Sequence, residues 1–194
     1  AQHAQHAVEA ALGMLAQLAD IQTEFAAKNW PALTIGIGIN SGTMNVGDMG
    51  SEYRRAYTVI GDAVNLGSRL EGLTKHYGVQ LIVSEFTAAA LEGVLLRKLD
   101  RVTVKGKQEP VTIYEAVSLA GQAAPSLTDE IVASNQALEL YFRGDWAAAR
   151  RAFRELHIGA SQSGFYKLLL SRIDALESRG IGPGWDGVFE HTSK

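Results

Sequence analysis

Apolar residues recur at helical spacing through the first 28 positions, where Val8, Leu12, Leu15, Leu18, Ile21 and Phe25 form one stripe among Gln, Glu and Lys. The pattern predicts an amphipathic helix. It ends at Trp30-Pro31, because the residue before proline is pushed out of the helical region. Leu33 to Asn40 then alternates, with Leu33, Ile35, Ile37 and Ile39 on one side and Thr34, Gly36, Gly38 and Asn40 on the other. The apolar side predicts a core face of a strand. The glycines opposite leave room for a helix, a partner backbone or a ligand to come close. Ser41 to Asp48 continues towards a hairpin with its tip at Asp48 to Glu52, and the chain returns as a strand through Tyr53 to Ile60. From Asp62 the period changes to three and four: Ala63, Leu66, Leu70, Leu73 and Tyr77 form the buried stripe of a helix that Gly78 terminates.

Val79 to Ser84 reads as a short strand, and Ser84-Glu85 caps a helical piece through Ala90. Val94 to Leu99 and Arg101 to Val104 read as a strand pair, with Pro110 to Val117 as a final alternating strand. Gly121 to Ser126 has linker composition. Helical stretches are expected at 128–143, 146–157 and 163–179. The tail from Gly182 to Phe189 is irregular, but Trp185 and Phe189 are large enough to dock back onto the body.

Composition narrows the possibilities. A formal net charge of -3, with no concentrated Lys and Arg, provides no footprint for nucleic acid. The absence of cysteine excludes disulfides, thiolate metal sites and cysteine nucleophiles, and fits a reducing compartment. No apolar run is long enough to span a membrane. A sequence that opens directly on a helix, with no cap or leader pattern, is expected to be a segment of a longer protein.

The helix from Asp62 carries the candidate chemistry. Asn65 and Arg69 stand one turn apart, so both project from one face and can grip something anionic, while Asp62 reads as the helix cap. His3 and His6 have metal-ligand spacing but no third ligand nearby, and read as surface histidines. Arg54 and Arg55 near the hairpin read as solvated.

The run Tyr57-Thr58-Val59-Ile60-Gly61-Asp62-Ala63-Val64-Asn65-Leu66-Gly67-Ser68-Arg69 resembles the strand-turn-helix segment of the class III nucleotide cyclases. The resemblance covers about residues 1–120, the second half of such a domain. It implies an α+β fold: a ferredoxin-like cyclase sheet with helices. It also implies that Thr58 reads the purine, Asn65 orients the ribose and Arg69 stabilises the reacting phosphate. Lys105, in Val104-Lys105-Gly106, matches the lysine that holds the terminal phosphates. Thr58 favours ATP over GTP, so the implied reaction is conversion of ATP to cyclic AMP and pyrophosphate in signal transduction.

In the family, two aspartates bind Mg or Mn, and they lie ahead of the helix with which this sequence opens. The metal ligands are thus expected outside this chain, with no metal-binding residue assigned within it. Because the family's sites form between two subunits, the partners implied are ATP, a second cyclase subunit or the amino-terminal half of the domain, and a homodimer. The chain alone is expected to be inactive. The location implied is cytoplasmic, with membrane attachment only through a parent protein. The other reading is a non-catalytic cyclase-like regulatory or interaction module. After a linker at 121–127, residues 128–194 are expected to form a small all-α appendage: Ala137, Gly144-Asp145-Trp146, Ala149 and Phe153 resemble one tetratricopeptide-type helix pair. One such pair cannot bury its own face and must lean on something else.

Overall fold

The computed structural model describes residues 2–51, 54–103, 109–160, 163–181 and 185–190. The first helix, α1 (His3–Ala27), is followed by β1 (Ile37–Ile39), the hairpin strands β2 (Asn45–Ser51) and β3 (Arg54–Ile60), and α2 (Asp62–Tyr77). Then come β4 (Leu81–Ser84), the short helix α3 (Glu85–Ala88), β5 (Val94–Thr103) and β6 (Val111–Leu119). Three helices, α4 (Pro125–Phe142), α5 (Trp146–Gly159) and α6 (Gly164–Ser178), precede β7 (Phe189–Glu190).

Five strands form one sheet in the order β1-β4-β6-β5-β7, in which β1 runs parallel to β4, β7 runs parallel to β5, and the other neighbours are antiparallel. Strand alternation divides its side chains between two layers. Leu81 and Val83 of β4 and Ala116 of β6 pack with Val8 and Ala11 of α1, while Ile82, Val111 and Ile113 face Leu66, Leu70 and Tyr77 of α2. The second layer continues into the helical tail without a break, through Leu138, Tyr141, Phe153, Phe165 and Leu169. The tail leans on the sheet and on α2, which meets the need of a helix pair that cannot bury its own face.

A polar seam joins the tail to the sheet edge. Arg97 of β5 pairs with Glu130 of α4 at 2.9 Å, Tyr166 of α6 donates to the same carboxylate at 2.6 Å, and Lys98 pairs with Glu139 at 2.7 Å. At the chain's end Trp185 stands edge-on to Tyr141, with centroids 4.9 Å apart, and Phe189 joins the sheet opposite Val102. The expected docking of both aromatics is seen.

Several expectations need correction. The strand pair proposed at Val94–Leu99 and Arg101–Val104 is one strand, Val94–Thr103, whose register against β6 shifts at Leu95/Leu96 and at Lys98/Asp100. Those irregularities break the alternation in sequence without ending the strand. The alternating run from Leu33 forms strand only at Ile37–Ile39, where β4 supplies hydrogen bonds. The hairpin is longer than expected: β2 reaches Ser51, so Asp48 lies within the strand opposite Tyr57. Among the described residues β2 and β3 pair only with each other, outside the five-stranded sheet.

Candidate functional site

β3 passes into α2 through one residue, Gly61, at φ +155° and ψ +165°, a conformation open mainly to glycine. Gly61 occupies the cap position. Asp62, expected as the cap, is the first helical residue, and Gly61 has no side chain with which to cap this end. Its charge still lies in the first turn, where the helix dipole favours an anion.

Helix α2 is held against the sheet at backbone distance. A Cβ on Gly36 would stand 2.2 Å from Thr74 Oγ1, and one on Gly38 would stand 2.2 Å from Glu71 N and 2.4 Å from Gly67 O. Of the three occupants the sequence left open beside these glycines, the structure selects the helix. Asn40, just beyond β1, adds a polar tie: its Nδ2 donates to Ala63 O at 2.9 Å, and its Oδ1 accepts from Ser84 Oγ at 2.6 Å. Thr87 N donates to Ser84 Oγ, which caps α3, and Thr87 Oγ1 lies 3.0 Å from Ser41 Oγ. Sequence reasoning did not find this network. Its traces were Asn40, a polar residue on the glycine side of an alternating strand, and Ser84, expected as a helix cap.

The stripe of α2 expected to be core is buried at Leu66, Leu70, Leu73 and Tyr77. Asn65 is exposed and Arg69 half-buried, one turn apart on the other side. Among the described residues neither side chain has a hydrogen bond or ion pair, although an amide and a guanidinium together offer several donors. Such a pair, on a helix pinned by its opposite side, can bind an oxygen-rich anionic ligand with little reorganisation.

Thr58 lies in β3 opposite Gly47 and is exposed. A Cβ on Gly47 would meet nothing within 4 Å, so the strand face beside Thr58 is open. Among the described residues no hydrogen bond joins Thr58 to Asn65 or Arg69. Lys105 lies outside the described residues. The structure thus brings Asn65 and Arg69 together and sets Thr58 on the strand that leads into their helix.

The donor set on this face does not suit a divalent metal. Mg and Mn take carboxylate and carbonyl oxygens, whereas Asn65 and Arg69 supply mainly N–H donors. Among the described residues no three His, Asp or Glu side chains come together to hold an ion. His3 and His6 are both exposed on α1.

Residues 1–115 match the adenylate and guanylate cyclase catalytic domain. An adenylate cyclase of Anabaena cylindrica is 47% identical over 89 residues, covering 44% of this chain and 18% of the relative. Adenylate cyclase 1 of Rhizobium meliloti is 35% identical over 118 residues, covering 60% of this chain and 18% of the relative. The chain therefore spans less than a fifth of the length of these two curated relatives. Among solved structures, the adenylyl cyclase CyaB from P. aeruginosa superposes with a TM-score of 0.51 at 28% identity, covering 58% of each chain. The matched region contains β3, α2 and the Asn65–Arg69 face, and the chain belongs to the class III adenylate and guanylate cyclase catalytic-domain family.

Proposed function

We propose that these residues form part of an adenylate cyclase, which converts ATP to cyclic AMP and pyrophosphate. The observation that carries this reading is the Asn65–Arg69 pair, unpartnered among the described residues, on a helix whose opposite side is fixed by Gly38 and Asn40. In the reaction the ribose 3′-oxygen attacks the α-phosphorus, loses its proton, and displaces pyrophosphate as the bond to the bridging oxygen breaks. Asn65 orients the ribose, and Arg69 neutralises charge that develops on the α-phosphate. Thr58 contacts the purine from the open face beside Gly47, and Lys105 holds the terminal phosphates.

The Mg or Mn ligands belong to residues outside this chain, and so does the other half of the site. A second subunit is supported by the exposed apolar hairpin, where Val46 pairs with Val59 and Tyr57 is 75% exposed. The α4–α5 pair, with buried Ala137, Ala149 and Phe153, is read as tetratricopeptide-like in arrangement and as serving internal packing.

The test is to assay the chain alone and together with the amino-terminal half of a cyclase domain, using ATP and GTP with Mg or Mn. The expected outcome is no cyclic nucleotide from the chain alone and cyclic AMP from the combination. Turnover by the chain alone would overturn the assignment of metal ligands elsewhere. Lack of turnover in every combination would favour the non-catalytic regulatory module.

A further inference from the structure

Arg172 of α6 reaches three elements at once. Its Nη1 is ion-paired with Asp100 of β5, and its Nη2 donates to His76 Nε2 at 2.9 Å and to Tyr77 OH at 3.4 Å, both on α2. Its guanidinium also lies 3.6 Å from the ring centroid of Phe189 in β7. Arg172 is 7% exposed and Asp100 0%, so this ion pair is shielded from solvent. Tyr77 directs its own hydroxyl proton to Asp100 at 2.7 Å. Because a guanidinium can only donate, His76 Nε2 must accept, which makes the ring neutral with its proton on Nδ1.

His76 and Tyr77 are the last two residues of α2. Successive helical side chains point about 100° apart, and here Tyr77 enters the core while His76 is exposed. One guanidinium that holds both resists rotation of the helix about its axis. Arg69 precedes His76 by seven residues, so it falls within about 20° of the same stripe, and Asn65 lies one turn further along. The stripe that presents Asn65 and Arg69 therefore ends in a grip from the helical tail. A second close approach adds to it: a Cβ on Gly78 would stand 3.4 Å from the Cα of Gly164, where α6 begins.

We propose that Arg172 is a positioning residue: through His76, Tyr77 and Asp100 it sets the roll of α2 and so the aim of Asn65 and Arg69. This inference rests on the cyclase reading of those two residues. A roll of about 10° moves a group about 6 Å from the helix axis by about 1 Å, and a displacement of that size can cost about 100-fold in rate. The tail thus acts on catalysis from outside the site, without touching substrate.

The test uses Arg172→Lys in the full-length protein that contains these residues. Lysine keeps a charge opposite Asp100 but lacks the planar fork that spans Asp100, His76 and Tyr77. The expected result is a fall in kcat of about tenfold or more with KM for the nucleotide changed less than about threefold. The same change is expected to add little in an Arg69→Ala background, because it acts through that residue. Unchanged kcat, or a loss that merely follows the fraction unfolded, overturns the proposal. Amide exchange of residues 62–69 provides a readout that does not need turnover: Arg172→Lys is expected to speed it, and unchanged protection there also overturns the proposal. Absence of cyclase activity in the wild-type protein would count against the cyclase reading alone, leaving amide exchange to decide the effect of Arg172 on α2.

Discussion

Gly38 of β1 lies so close to Gly67 of α2 that a Cβ added to Gly38 would stand 2.4 Å from the Gly67 carbonyl oxygen. The neighbouring atom is backbone, so no rotamer change can relieve the clash, and the helix itself would have to move. Gly38→Ala is expected to destabilise the fold by about 1–3 kcal/mol, measured by urea unfolding. In an active cyclase complex it should also lower turnover by shifting Asn65 and Arg69. Gly72→Ala is the matched control, since a Cβ there meets nothing within 4 Å and lies within α2. It is expected to raise stability by about 0.5–1 kcal/mol. A Gly38→Ala protein as stable as wild type would contradict the packing described.

Arg69→Ala and Asn65→Ala separate function from folding. Neither side chain has a partner among the described residues, so each substitution is expected to change stability by no more than about 0.5 kcal/mol. Turnover in the complete catalytic assembly is expected to drop by about 10²–10³ for Arg69→Ala, in line with removal of a group that stabilises transition-state charge. Parallel denaturation curves and initial-rate measurements check the two halves of this statement. A rate left intact would remove Arg69 from the proposed role.

Asp100→Ala leaves the guanidinium of Arg172 buried without its counter-charge. The expected cost is about 3–5 kcal/mol, larger than for any exposed ion pair. The pair is better tested by a double-mutant cycle with Arg172→Met and Asp100→Leu. The double variant should lose less than the sum of the two single losses, because no lone charge remains. Additive losses would mean that the two groups do not stabilise each other.

His76 makes stability depend on pH near neutrality. Burial and the adjacent Arg172 lower its pKa below the ordinary 6.5, while Asp100 opposes them. The folded state therefore binds fewer protons than the unfolded state as pH approaches and passes below 6.5. Stability from this site is present above that value and is lost as pH falls through the lowered pKa. The urea midpoint of wild type is expected to fall more steeply than that of His76→Gln between pH values of about 7.5 and 5.5. Coincident pH curves would show that His76 does not contribute. The comparison also cancels the contribution of Glu115, whose carboxyl is pushed up by burial.

Much of this protein was legible in sequence because its elements follow local periodicity. The stripe of Leu66, Leu70, Leu73 and Tyr77 repeats at helical spacing, and burial followed it; Gly78 sits at φ +67°, as a helix terminator should. The placement of Asn65 and Arg69 on one face needed only the helical repeat. Lys105, matched on its motif, lies outside the described residues. Where the reading failed locally, geometry not encoded by simple alternation was responsible. The register shifts in β5 made one strand look like two, and Gly61 took the cap position assigned to Asp62 because the strand turns into the helix through a single residue.

By itself, the sequence determined the helices, most strand positions, the Asn65–Arg69 face and its family motif, since each depends on residues close together along the chain. It also marked Gly36 and Gly38 as places of close approach, without saying what approaches. Tertiary structure decided that α2 does, that Asn40 ties β1 to the first turn of α2, and that Arg172 meets Asp100 across 72 residues of chain. Those relationships arise from packing elements whose order in space differs from their order in sequence. No periodicity records the partner of a lone buried charge.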